Sequence, residues 1–191
     1  MTHEAYNGNG STNGNGRTNG NGRRNGGAPA ELRRLYAEQL VSVRAAEHRS
    51  AVIFPDMAIV AADEDVASVF RAAASDTEIQ LARLDRLIRG LELPADDVTA
   101  PELDGILDGI ESVLEGGSEG TTSDVDAALL RAAREALRYQ IAGYETACAT
   151  ARRLGDYRSL DVLLQSLDEE LTTDSSFSRL MSHHSRLART I

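Results

Sequence analysis

At 191 residues, with 41% hydrophobic and 26% charged residues, the chain has the make-up of one globular domain with a real core plus a tail. Its net charge of −10 speaks against a general nucleic-acid surface. No apolar run approaches the roughly 20 residues of a membrane span, and the N-terminus has no hydrophobic region resembling a signal peptide.

The aromatic content is low, at five Tyr, three Phe and no Trp, so the core has to be built from Ala, Leu, Val and Ile. Abundant Ala and scarce β-branched runs favour closely packed helices over a sheet. All 20 basic residues are Arg, which reads as compositional bias. A lone Cys148 at an apolar helical position reads as a small buried hydrophobe and cannot form an internal disulfide. Cytoplasmic residence is the corresponding expectation.

In chain order, residues 1–28 form an Asn/Gly-rich tail with seven Asn-Gly pairs and no side chains to bury, expected to be disordered. The helical domain is expected over 29–184, and 185–191 should be a frayed end. Pro29 suits a first helical turn, and an uninterrupted pattern runs from Glu31 to about Ala62, with a kink expected at Pro55. A second helix is predicted from about Asp65 to Arg89, stopping at Gly90. Residues 101–115 read as a short amphipathic helix ended by Gly116 and Gly117. Ser123 and Asp126 resemble a capping box for a third long helix over 124–154, terminated by Gly155. The last helix covers about 157–183. The prediction is an all-α four-helix bundle, with one extra short helix in the long connection between helices two and three.

Every long helix has an apolar stripe with a polar interruption. Glu47 interrupts Val43, Ala51 and Phe54. Asp76 interrupts Val66, Val69, Ala73 and Leu84, a face that also carries Gln80. Gln140 interrupts Ala133, Ala136, Gly143 and Ala147. Glu170, with Asp174 a turn further on, interrupts Leu160, Leu163, Leu167, Phe177 and Met181. Burying carboxylates without compensation costs several kcal/mol, so convergence of Glu47, Asp76, Gln140 and Glu170 at one level demands an explanation. Iron or manganese held by the carboxylates is one solution. The other is a metal-free network satisfied by shared protons and by Arg83, Arg138, Tyr139 or Tyr144.

Between about residues 40 and 181 the chain resembles the YciE/YciF-type ferritin-like proteins of bacteria. Glu47, Pro55 and Met57 keep the spacing of that family's first helix. Phe70, Thr77, Gln80, Arg83 and Leu84 match its second, Tyr139, Ile141, Ala142 and Tyr144 its third, and Glu169, Glu170 and Asp174 its fourth. The resemblance implies a ferritin-like bundle whose site is degraded. Where the family pattern has His-x-x-Glu-Thr, this chain has Ala73 and Asp76. Where the family has Glu-His-Tyr-Glu, it has Leu137, Arg138, Tyr139 and Gln140. A di-metal carboxylate site needs about six protein ligands. By this matching Glu47, Asp76 and Glu170 remain, with Gln140 a poor fourth. His48 projects about 100° away from Glu47 around the helix, and His183 and His184 fall near a helix C-terminus.

The expectation is therefore a non-catalytic protein acting by binding or assembly, with no cofactor, or with iron or manganese if any. The alternative is an iron- or manganese-binding oxidase or peroxide-detoxifying protein. The family resemblance implies stress association and a homo-oligomer, a dimer above all; an unidentified protein partner is the other possibility, with neither nucleic acid nor membrane involved. Leu35 and Leu40, ahead of the matched region, are expected to be exposed, extending the first helix into an interface or covering the bundle's end.

Overall fold

The computed structural model describes residues 27–91, 105 and 122–187. The described residues form four helices: α1 (Gly27–Val60), α2 (Glu64–Gly90), α3 (Thr122–Leu154) and α4 (Tyr157–Leu187). Of the expected tail, residues 1–26 lie outside the described part while Gly27 and Ala28 begin α1. Of the expected frayed end, 185–187 continue α4 and 188–191 lie outside, as does the 101–115 segment apart from Gly105.

Local chemistry sets the helix ends. α1 continues through Pro55, whose side chain is exposed. The Asp63 carboxylate then accepts the Asp65 N–H at 2.7 Å and caps α2. At the other junction Gly155 adopts φ +73°. Its N–H bonds to the Arg152 carbonyl, and the next N–H, of Asp156, reaches back to the Ala151 carbonyl, so the last turn of α3 is closed by a left-handed residue that favours glycine. Asp156 immediately caps α4, accepting from the Ser159 N–H at 3.1 Å and its hydroxyl at 2.6 Å.

Asp126 corrects the capping-box reading. α3 begins at Thr122, so Ser123 lies inside it rather than at its cap position, and the Asp126 carboxylate reaches across to the N–H groups of Ala62 and Asp63 at 2.8 and 2.9 Å. A buried acid of α3 thereby holds the α1–α2 turn, beside the positive N-terminal end of α2.

Side-chain pairs fix the helix directions. Arg44 of α1 meets Asp85 of α2, and Glu47 of α1 meets Gln140 of α3. Phe70 of α2 meets Phe177 of α4, while Arg134 of α3 meets Asp174 of α4. Second contacts between the same helices run in the opposite chain sense, Phe54 with Phe70, Val43 with Gly143 and Arg83 with Glu169, and the short Gly155–Asp156 turn folds α4 back along α3, so every helix is antiparallel to both neighbours. α2 and α3 consequently run the same way. α2 is about 40 Å long at 1.5 Å per residue.

The apolar core is divided in two. One cluster joins Phe54, Met57, Phe70, Leu129, Leu130, Leu137 and Phe177. Its three Phe rings touch with centroids 5.1–6.2 Å apart. The second joins Tyr36, Leu40, Val43, Leu84, Tyr144, Cys148, Leu160 and Leu163 at the opposite end. Leu40 is thus buried in this end cluster, contrary to the expectation of exposure, whereas Leu35 is 47% exposed. Cys148 is buried there as well, and burial pushes its thiol up. No helix among the described residues is long and apolar enough to cross a membrane.

Candidate functional site: a polar layer between two apolar clusters

The residues that lie between the two clusters along each helix are the polar ones. α1 contributes Glu47 and Ser50, α2 Thr77 and Gln80, α3 Gln140, and α4 Ser166 and Glu170, all of them buried. Each is placed by the helical repeat that buries its apolar neighbours, so the fold carries these groups inside with the stripe. Gly143, one turn from Gln140, lets α3 approach α1 closely: a Cβ there would stand 2.5 Å from Val43 Cγ2.

The α1–α3 half of the layer is joined by Gln140, whose Nε2 donates to Glu47 Oε2 at 2.9 Å and to Ser50 Oγ at 3.2 Å. Burial raises the Glu47 carboxyl well above the ordinary carboxylate range, and the nearby charge of Glu170 pushes it further the same way. The Tyr144 phenol lies close to Glu47 and offsets part of this rise, although its hydroxyl is outside hydrogen-bonding geometry.

The α2–α4 half is more open. Arg83 clasps Glu169 with both terminal nitrogens, one at 3.0 Å, and also donates to Ser166. Gln80 Nε2 lies 3.4 Å from Glu169 Oε2. Burial pushes Glu170 up to about 8, with Gln80 pulling it down and the charges of Asp76 and Glu169 adding to the rise. Asp76 is half-buried on this seam, and its carboxyl is raised by burial and by Glu169 against the pull of Arg83.

The sequence-predicted set is therefore only partly gathered in the interior. Glu47, Gln140 and Glu170 are buried in the layer, but α2's buried contributions are Thr77 and Gln80, with Asp76 at the edge. Asp174 is half-buried outside the layer, where both its oxygens take up Arg134 at 2.7 and 3.0 Å, and that guanidinium holds its carboxyl below the usual range. Of the expected neutralisers, Arg83 serves Glu169, Tyr139 bonds Ser42 at 3.2 Å, and Arg138 is exposed. The layer's small hydroxyls were not anticipated. Ser50 stands three residues after Glu47, Thr77 three before Gln80, and Ser166 four before Glu170, a helical spacing that could have revealed them. His48 and His183 are exposed.

Among the described residues six buried oxygens have no hydrogen-bond partner: Glu47 Oε1, Gln80 Oε1, Gln140 Oε1, Glu170 Oε2 and the Tyr36 and Tyr144 hydroxyls. Orphaned acceptors call for protons, water or a cation. A proton on Glu47 or Glu170 turns an acceptor into a donor and removes the cost of an ionised buried acid. The donor set does not fit a two-metal centre: the layer holds two buried carboxylates, two amides and no histidine, against about six ligands including bridging acids. No group of three or more His, Cys, Asp or Glu side chains suited to a metal ion occurs among the described residues.

The crystal structure of the Escherichia coli stress protein YciF superposes with a TM-score of 0.75 at 24% identity, covering 81% of this chain and 97% of that one. YcfI from Rhodopseudomonas palustris superposes with a TM-score of 0.69 at 26% identity, covering 77% and 92%. In sequence, Protein YciF of E. coli K12 is 26% identical over 125 residues, 65% of this chain and 74% of that protein. The model of DUF892, a domain of unknown function, matches residues 31–188. With a match across nearly all of its helical part, the chain belongs to the DUF892 family.

Proposed function

We propose that this chain is a ferritin-like bundle that acts by binding or assembly, in association with stress, with a degraded metal site closed by shared protons and amides. The observation that carries the reading is Gln140, an amide that donates to Glu47 in the buried layer. A neutral amide there hydrogen-bonds one acid while adding no negative charge to attract a cation. Only Glu47 and Glu170 remain as buried acids of the layer, and the raised values of both favour their neutral forms. Homo-oligomerisation, a dimer first of all, and cytoplasmic residence belong to the same proposal, and stress association rests on the description of E. coli YciF.

A second reading, an iron- or manganese-binding oxidase, draws on the orphaned oxygens of Glu47, Gln80, Gln140 and Glu170. Metal analysis of protein purified without chelator separates the two, followed by ferrous iron in air with near-ultraviolet absorbance recorded. The proposal expects iron and manganese far below one per chain and no faster iron oxidation than buffer. Near-stoichiometric metal with an oxo-bridge band supports the oxidase.

A further inference from the structure

At the end of the α2–α4 seam, adjoining the polar layer at Arg83, a cavity of about 500 Å³ opens between the last turns of α2 and the first turns of α4. Its walls carry Arg83, Arg86 and Arg158 above an apolar floor of Leu87, Leu91 and Val162. The charges are unequally engaged. Arg83 is neutralised by Glu169. Arg86 spends only Nε, on the carbonyl of Ala82 in its own helix, and Arg158 has no side-chain partner among the described residues. One carboxylate opposes them, that of Asp156, and its two oxygens are turned to the Ser159 N–H and hydroxyl at the start of α4. The anion-attracting end of α4 is thus already capped, so any anion in this cavity depends on the guanidiniums.

We propose that this cavity binds a small organic phosphate. Two guanidiniums on different helices, each with terminal N–H donors to spare, match the double charge and several acceptor oxygens of a phosphomonoester. Gln165, also on the wall, gives one amide N–H to Glu169 at 3.2 Å and keeps the second. The floor of Leu87, Leu91 and Val162 accommodates the apolar body to which the phosphate is attached. On a chain of net charge −10, anions are repelled in general, so a local cationic cavity with an apolar base selects for the combination of the two chemistries.

The test uses the full chain and 1-naphthyl phosphate, followed by isothermal calorimetry and by amide NMR shifts. Expected are saturable one-to-one binding, shifts centred on Leu87, Ser159 and Val162, and inorganic phosphate binding more weakly because it leaves the floor uncovered. R86A and R158A each weaken binding roughly tenfold, as loss of one charge-assisted contact implies. Arg71→Ala, on the distant half of α2, leaves it unchanged. Both cavity arginines are exposed, and far-ultraviolet circular dichroism verifies that the variants keep the fold. Absent saturable binding, shifts located elsewhere, or affinity unmoved in the R86A/R158A double variant each overturn the site. Equal affinity for inorganic phosphate overturns the organic part of the assignment.

Discussion

Gln140 donates one amide nitrogen to both Glu47, at 2.9 Å, and Ser50, at 3.2 Å, inside a bundle where all three side chains are buried. The contact joins α1 to α3 at mid-length with a single negative charge at most. Across the layer Glu170 has no such amide joined to it at comparable length, and its Oε2 is without a partner. The two halves therefore differ in how their acids are satisfied, and on the proposed reading protonation supplies what the hydrogen bonds do not.

Stability should fall as pH rises through neutrality. An unfolded Glu ionises near 4.5, whereas Glu170 in the fold ionises at about 8, and Glu47 is raised in the same sense. Below about pH 4.5 both states hold the proton and the raised value costs nothing. Above it the unfolded chain gains free energy by ionising while the fold resists, so the Glu170 contribution declines up to about pH 8 and then levels off, and Glu47 adds a decline of the same sign. Chemical denaturation at pH 5.5 and 8.5 should differ by a few kcal/mol. Glu170→Gln should remove the Glu170 share of that difference and leave the share of Glu47, and an unchanged slope in this variant contradicts the assignment. At the acid end Asp174 and Glu169, held low by Arg134 and Arg83, act oppositely, so stability also drops as pH falls through their lowered values.

Gly143→Ala should destabilise the bundle. The new methyl overlaps Val43 Cγ2, and the β-branched Val43 is itself buried with little room to turn. Overpacking of about 1–3 kcal/mol outweighs the gain of about 1 kcal/mol from replacing a helical glycine. Urea denaturation should show a lower midpoint. Equal or higher stability means that the α1–α3 approach is looser than described.

Asp126→Ala should cost about 2 kcal/mol, because two N–H groups at the α1–α2 turn lose a charged acceptor, although Ala62 is exposed enough for water to replace part of it. Asp126→Asn, which keeps one acceptor oxygen, should recover part of the loss. Hydrogen exchange at Ala62 and Asp63 should accelerate more than exchange in α4, and uniform acceleration argues against a local clamp.

The helices and their stripes were legible because the 3.6-residue repeat is set by burial and survives polar interruptions. Gly155 marked the α3 end because only a left-handed residue closes that turn. Asp126 was misread because a capping box is a local pattern, whereas its carboxylate answers to a turn more than 60 residues away. Asp76 and Gln80 share a stripe in sequence, and the helix rotation that buries Gln80 leaves Asp76 on the seam, a difference of some tens of degrees that periodicity does not resolve. The Arg83–Glu169 and Arg134–Asp174 pairs depend on neighbour order, which the stripes alone leave open.

The most direct measurement is the stability of Glu170→Leu beside the parent chain, each unfolded by urea at pH 7.5 with and without EDTA. Removal of a buried acid in favour of an apolar side chain should leave the bundle equally or more stable, and the chelator should shift neither protein. A parent chain that weakens in EDTA, together with a variant that is weaker and indifferent to it, contradicts a metal-free layer.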